Sequence, residues 1–416
     1  MPRPQVKYFN NFYYIYFNIA DSSDRRIITQ NGILSTIDID DKTHSHYQAI
    51  ELKHLDKDPN DHVLIDYLSQ FRKWIYSAKL NNIYSIDFTI GEVQAVKTTF
   101  FRLLEHYEQN EKITATEYIW FEKCANNAIY YLKEDDITVE CVSYDRKMCY
   151  ANILGSELMI PTKSGNEFTL NSLPKRKDLL NGFYRVKITS TNRDFMKCFT
   201  FSKNNVYVDL SLKFALKHRK KFNIEFELQM DGKPNAYLYD EEDMVPLNTM
   251  TSKWHAIITK LKTTYKNNPL IKFVASSTWG CVQQRRSKWY SLEQINEKKL
   301  QVGMPGGNAK YKIINREFKK DIEYYEIVNT HQPYHFNLRL KPFVTAQARN
   351  DLAKLARKHL KHVVRMQTDS ISFDKPIDIN DDNYALEDKT TGLIHWQNVN
   401  SYHNKTNNYK SKTYKL

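Results

Sequence analysis

Alternating and helical spacings of apolar residues take turns along this chain, and the switches between them mark its elements. Thr138 to Tyr144 alternates, with Val139, Cys141 and Ser143 set against Glu140, Val142 and Tyr144. That pattern predicts a half-buried β-strand running directly into Asp145. Ile33 to Ile39, Ile83 to Ile90, Gly182 to Ile188, Asn205 to Val208 and Tyr324 to Val328 are further strand candidates, and residues 155 to 250 are strand-like throughout, with Gly and Asn turns between the runs. Helical spacing takes over from Glu92 to Tyr107, where Val93, Val96, Phe100, Leu103 and Leu104 share a face. It returns in Ser252 to Tyr265 and Ile271 to Gln284, separated by Lys266-Asn267-Asn268-Pro269, whose proline and asparagines end one helix and start the next. A further helix is expected from Val344 to about His362, with Ala348, Leu352, Leu355, Ala356 and Leu360 as its apolar stripe and Lys354, Arg357, Lys358 and Lys361 off it. Val363 to Phe373 is apolar but broken at Thr368-Asp369, the mark of a hairpin with its aspartate at or near the turn. Strands and helices in this order make the fold class α+β.

At 416 residues the chain is long enough for a large core or several subdomains. Its net charge of +13 suits a polyanionic partner, because each phosphate neutralised by Lys or Arg releases condensed counterions. The 28 Tyr and 21 Phe add faces that can stack on bases, although most aromatics of this kind fill cores and strands. Cys124, Cys141, Cys149, Cys198 and Cys281 form no CxxC pair and no zinc spacing with histidine, so free thiols in a reducing compartment are expected. The aromatic run Tyr8 to Ala20 is broken by Asn10, Asn11 and Asn18, which fits neither a signal peptide nor a membrane span. A soluble, intracellular protein with no membrane partner is the expectation. Asp38, Asp40, Asp41 and Asp87 are scattered carboxylates and make no acidic cluster of the kind a metal-dependent exonuclease needs.

Asp145 and Asp369 carry the candidate chemistry. Each stands at a strand end among small or polar neighbours, and each alone would be an ordinary turn residue. Together they are a pair of carboxylates on rigid strands, which can hold two Mg2+ ions, with Mn2+ as a substitute, against a triphosphate. Between them lies Lys272-Phe273-Val274-Ala275-Ser276-Ser277-Thr278-Trp279-Gly280, where Ser276 and Trp279 follow Lys272 by four and seven residues and so share its helix face.

In order and combination, these stretches resemble the palm and fingers motifs of family B DNA polymerases. Asp145 with Tyr150 resembles D-x-x-x-x-Y-P, the Lys272 stretch resembles K-x-x-x-N-S-x-Y-G, and Thr368-Asp369-Ser370 resembles the end of Y-x-D-T-D-S. The likeness covers roughly residues 138 to 416. It implies a right-hand architecture with an antiparallel-sheet palm, two-helix fingers and a small thumb. Asp145 and Asp369 would bind the metal ions, Tyr150 would be the steric gate beneath the deoxyribose, and Lys272, Ser276 and Trp279 would line the nucleotide site. Thr368 would contact DNA, as would Lys412 and Tyr414, whose Lys412-Thr413-Tyr414 is similar to a K-x-Y element on the primer strand. Arg339 to Ala346 is similar to the segment preceding the third motif in viral members. Ala151, Ser276, Trp279, Arg365 and Gln367 depart from the motifs, and Gln367 replaces an acid.

The resemblance divides the chain into an N-terminal region without a recognisable exonuclease (1–136), a first palm part with an insertion (137–250), fingers (251–286), an insertion and second palm part (287–375), and a thumb or tail (376–416). Primer-template DNA and dNTPs are the implied partners, and proofreading is either absent or resides in a separate exonuclease subunit. Long segments at 155–250 and 287–335 resemble insertions of the protein-primed branch, which implies a priming terminal protein. The alternative is a catalytically silent, polymerase-like nucleic-acid-binding subunit of a viral replication complex, for which Gln367 is the main ground.

Overall fold

The computed structural model describes residues 14–17, 25–29, 32–36, 48–51, 92–124, 127–264, 269–282, 284–303, 310–319, 322–330, 338–379, 383–386, 390–403 and 408–410. They form a mixed fold of helices and largely antiparallel sheets in two compact units, Met1–Leu104 with Ala256–Cys281 and Glu105–His255 with Val282–Leu416.

The first unit holds a four-stranded sheet in the order Gly32–Thr36, Arg25–Thr29, Tyr14–Phe17, Gln48–Glu51, its last pair parallel. The expected helix at residue 92 spans Glu92–Leu103 and buries Val96, Phe100 and Leu103 of the expected stripe. The strand expected at Ile83 to Ile90, and Asp38, Asp40, Asp41 and Asp87, lie outside the described residues. The two helices expected around the Asn-Asn-Pro break span Leu247–Thr264, which enters this unit at Ala256, and Pro269–Val282, the second opening on a proline whose fixed φ suits a first helical position.

An eight-stranded antiparallel sheet organises the second unit. Its order is Asn408–Lys410, Ser401–His403, Gly392–Asn398, Ile137–Arg146, Ser370–Phe373, Val363–Gln367, Tyr130–Leu132, with Tyr384–Leu386 pairing the far end of Ile137–Arg146. The sheet is covered on both faces. Met366, Ile371 and Phe373 join Leu352, Leu355 and Ala356 of the helix Lys341–Ala356 in one core, whereas Cys141, Val364, Ile394 and Trp396 form another. Full burial of side chains such as Leu352, Ile371 and Phe373 contributes about 1.5–3 kcal/mol each, which holds the central hairpin on its helix.

Two expectations change. The helix Lys341–Ala356 is buried on nearly every side, including Phe343, Val344, Ala346 and Arg349, so the single stripe was too narrow; a helix surrounded by protein needs no polar face. Residues 155–250 do form a five-stranded sheet, in the order Val206–Val208, Gly182–Ser190, Ala236–Leu238, Asn166–Phe168 with Ile224–Leu228 also against Gly182–Ser190. They also contain the helix Asp209–Lys217, whose Leu212, Phe214 and Ala215 are buried. Tyr184, Val186 and Ile188 of that sheet share the core of Leu352 and Phe373, so this region is continuous with the central sheet. A second four-stranded sheet follows in the order Ser287–Ser291, Ile322–Asn329, Tyr311–Lys319, Val302–Gly303.

Candidate functional site

Ile137–Arg146 is long because its near end pairs with Gly392–Asn398 and its far end with Ser370–Phe373. That second pairing sets the site. Asp145 stands opposite Ser370, Tyr144 opposite Ile371 and Ser143 opposite Ser372, and the Arg146 amide donates to the Asp369 carbonyl at 3.0 Å. Asp145 therefore stands across a strand pair, with strands about 5 Å apart, from the residue that follows Asp369, and both aspartates are half-buried. Below them the sheet is pinned by polar groups: the buried Ser143 and Ser372 hydroxyls lie 2.6 Å apart, and Ser143 Oγ donates to the Thr390 carbonyl at 2.6 Å.

Asp369 sits in a two-residue turn whose first position, Thr368, has φ 57°. A β-branched residue is strained there, and two-residue hairpins need such a backbone to match strand twist. The Thr368 amide donates to the Ile129 carbonyl at 3.1 Å, which helps to hold the turn.

After Asp145 the chain turns through Met148, at φ 49° and ψ 42°, into the short helix Cys149–Leu154. Tyr150 is half-buried on it, and its phenol is pushed well above the usual range by burial first, with Cys149 and the Asp369 carboxylate adding to the rise. Burial, reinforced by the nearby Asp369 carboxylate, thus keeps Tyr150 a neutral donor. The Cys149 thiol, buried beside the same carboxylate, is pushed up to about 12 and stays protonated. Arg146 faces Asp351 of the helix Lys341–Ala356 at 2.8 Å and reaches Cys149 Sγ at 3.6 Å.

The departures at 365 and 367 are coupled to each other. Arg365 stacks over the Trp396 ring, 4.4 Å from its centroid, and donates to the Val399 carbonyl at 2.9 Å and to Gln367 Oε1. Gln367 Nε2 in turn donates to Asn400 Oδ1 at 2.6 Å. An amide can accept from Arg365 and donate to Asn400 at once, which an ionised carboxylate cannot do. Gln367 is therefore a link between the hairpin and the turn at Val399-Asn400.

Lys272, Ser276 and Trp279 lie together on the helix Pro269–Val282 of the first unit, with Ser276 exposed and Trp279 buried. Asp145, Tyr150, Thr368 and Asp369 belong to the second unit. Lys412 and Tyr414 lie outside the described residues. Among the described residues, no three or more His, Cys, Asp or Glu converge as a metal cage, and no helix is long and apolar enough to cross a membrane. The donor set of Asp145 and Asp369 fits Mg2+, which is commonly held by one or two carboxylates plus phosphate and water oxygens.

The supporting roles of four residues escaped the sequence reading. Asp351, on the helix Lys341–Ala356, anchors Arg146. Glu117 and Arg339, both 0 % exposed, form a buried ion pair at 2.7 Å. Arg349 is buried among the Asn127 carbonyl at 2.7 Å and Ser211 Oγ at 3.1 Å, and burial brings its guanidinium down to about 10. Only their partners, distant in sequence, give these charges a place.

No family model matches the sequence, and no curated protein matches it. Among solved structures, the fold is similar to that of Phi29 DNA polymerase complexed with single-stranded DNA, at a TM-score of 0.50 and 10% identity over 82% of this chain and 57% of that one. The same polymerase complexed with primer-template DNA and incoming nucleotide substrates matches at a TM-score of 0.49 and 12% identity, over 89% and 63% of the two chains. This chain thus spans less than two thirds of that protein's length. The likeness is one of fold, and it is distant: a mixed α/β chain with antiparallel sheets, related in architecture to a DNA polymerase.

Proposed function

We propose that this protein is a template-directed DNA polymerase of the family B kind, with the eight-stranded sheet as its palm, the helices Leu247–Thr264 and Pro269–Val282 as its fingers, and its C-terminal strands leading into a small thumb. The observation that supports this reading is the strand register that sets Asp145 opposite Ser370, the residue next to Asp369, from which it is separated by more than half of the chain. The distant fold likeness agrees with it. In the reaction, the primer 3′ oxygen forms a bond to the α-phosphorus of a dNTP, the bond to pyrophosphate breaks, and the 3′ hydroxyl proton passes to water. Bound Mg2+ would lower the pKa of that hydroxyl and offset the charge of the triphosphate. Asp145 and Asp369 would hold the ions in place. Tyr150, kept neutral beside Asp369, presents its ring as the floor of the sugar site, and Lys272 supplies a point charge to the triphosphate. Thr368, Lys412 and Tyr414 are assigned to the DNA backbone, and a priming terminal protein or an exonuclease subunit would act as a partner.

Primer extension with Mg2+ or Mn2+ tests the assignment. Wild type should extend a primed template, and Asp369→Ala or Asp145→Asn should lower the rate by at least about a thousandfold, as expected when a group central to transition-state charge stabilisation is removed. Gln367 favours a second reading, a silent DNA-binding relative, because its amide is engaged with Arg365 and Asn400 where the motif has an acid. Tight DNA binding by wild type without extension would select that reading.

A further inference from the structure

His218 closes the helix Asp209–Lys217 and is buried at 7 % exposure. Arg357, which ends the helix Lys341–Ala356, places Nη1 3.3 Å from His218 Nε2. A guanidinium only donates, so this contact requires an unprotonated Nε2. Burial, followed by the charges of Arg357, Lys217, Lys221 and Arg176, brings the His218 pKa down to about 4. Lys221 Nζ also donates to the Arg357 carbonyl at 3.3 Å. Four cations from three chain segments thus surround one neutral histidine.

The surroundings do not balance this charge. Elsewhere in the same unit lysines are paired, as in Lys163 with Asp243 (2.6 Å), Lys197 with Asp194 (2.7 Å) and Lys213 with Asp209 (2.8 Å). Among the described residues, no carboxylate lies within ion-pair distance of Arg176, Lys217, Lys221 or Arg357. Two helices end here, Asp209–Lys217 and Lys341–Ala356, and each C-terminus carries a partial charge of about −0.5. Against four cations that leaves an excess of about +3 on the same basis. Arg176, Lys217 and Lys221 are exposed. Exposed point charges hold a single small anion weakly. They become effective when one polyanion bridges several of them and releases its counterions.

We propose that Arg176, Lys217, Lys221 and Arg357 form a surface that binds the phosphate backbone of nucleic acid, in addition to the site at Asp145 and Asp369. The proposal deepens the polymerase reading, but its test is independent of nucleotide transfer. A fluorescent duplex is titrated with the full chain in EDTA at several salt concentrations, and binding is read by anisotropy. The triple variant Arg176→Ala, Lys217→Ala, Lys221→Ala should bind at least about tenfold more weakly near 0.1 M salt, and its log–log salt slope should be shallower by about 2 to 3, because each phosphate contact contributes about 0.9. Should that variant lose its thermal transition, the double variant Arg176→Ala, Lys217→Ala should still flatten the slope by about 2. A folded variant with the slope and affinity of wild type overturns the proposal, as does a wild-type chain that fails to bind the duplex. Displacement of the duplex by micromolar inorganic triphosphate also overturns it, by showing a small-anion site. A wild-type chain that binds through this surface yet extends no primer would sink the polymerase reading alone.

Discussion

Arg339→Met probes the buried charge pair that fixes the entry to the helix Lys341–Ala356, and through Asp351 the support of Arg146. The Arg339 guanidinium donates to both Glu117 oxygens at 2.7 and 3.0 Å, to the carbonyls of Glu111 (2.9 Å), Thr162 (3.0 Å) and Lys112 (3.3 Å), and to Ser164 Oγ (3.1 Å). Methionine retains much of the stem and removes every donor. Glu117 then keeps the Tyr239 hydroxyl at 2.8 Å but no cation, inside a site from which water is excluded. Breaking one half of such a pair costs about 3–5 kcal/mol, a large share of the roughly 5–15 kcal/mol that holds a typical protein folded. Urea denaturation followed by tryptophan fluorescence measures the loss. The double variant Glu117→Leu, Arg339→Met should be less destabilised than Arg339→Met, because no lone charge remains buried.

The pH dependence supplies a second check on the same pair. Burial raises the Glu117 pKa above 4.5, and Arg339 is the largest opposing influence. In Arg339→Met the folded-state value rises further. An acid with a raised folded pKa binds more protons folded than unfolded, so folding gains stability as pH falls through the folded value toward the unfolded one. The gap between wild type and variant should therefore narrow as pH falls toward the ordinary carboxylate range. A gap below about 1 kcal/mol, the level of an exposed ion pair, or one constant with pH, would refute the reasoning.

Two further outcomes follow from the site. Tyr150→Ala should weaken discrimination against ribonucleotides in single-nucleotide incorporation assays, and unchanged selectivity would remove Tyr150 from the sugar site. Thr368→Gly relieves a β-branched residue at φ 57°, and it should raise stability by about 0.5–1 kcal/mol net of the greater flexibility of glycine; a lower unfolding midpoint would show that the turn is not strained.

Local spacing carried much of the architecture. The alternation of Val139, Cys141 and Ser143 appears in the strand Ile137–Arg146, where Cys141 and Ser143 are buried, and the break at Thr368-Asp369 is the turn between Val363–Gln367 and Ser370–Phe373. The prolines and asparagines near residue 268 separate two helices as expected. These features are legible because side-chain period and turn preference act within a few residues. The helix Asp209–Lys217 was missed because it follows the strand Val206–Val208 without an intervening loop, so its short periodic run merged with the strand-like pattern.

The sequence by itself determined where strands end, which acids stand at those ends, and how much positive charge the chain carries. Tertiary structure alone decided that Asp145 faces Ser370 across a strand pair, that Arg339 meets Glu117 in the dry interior, that Gln367 is tied to Asn400, and that cations from three segments crowd around His218. The reason is physical: periodicity and turn chemistry are properties of neighbouring residues. Pairing register, desolvation and uncompensated charge depend on groups that only folding brings together.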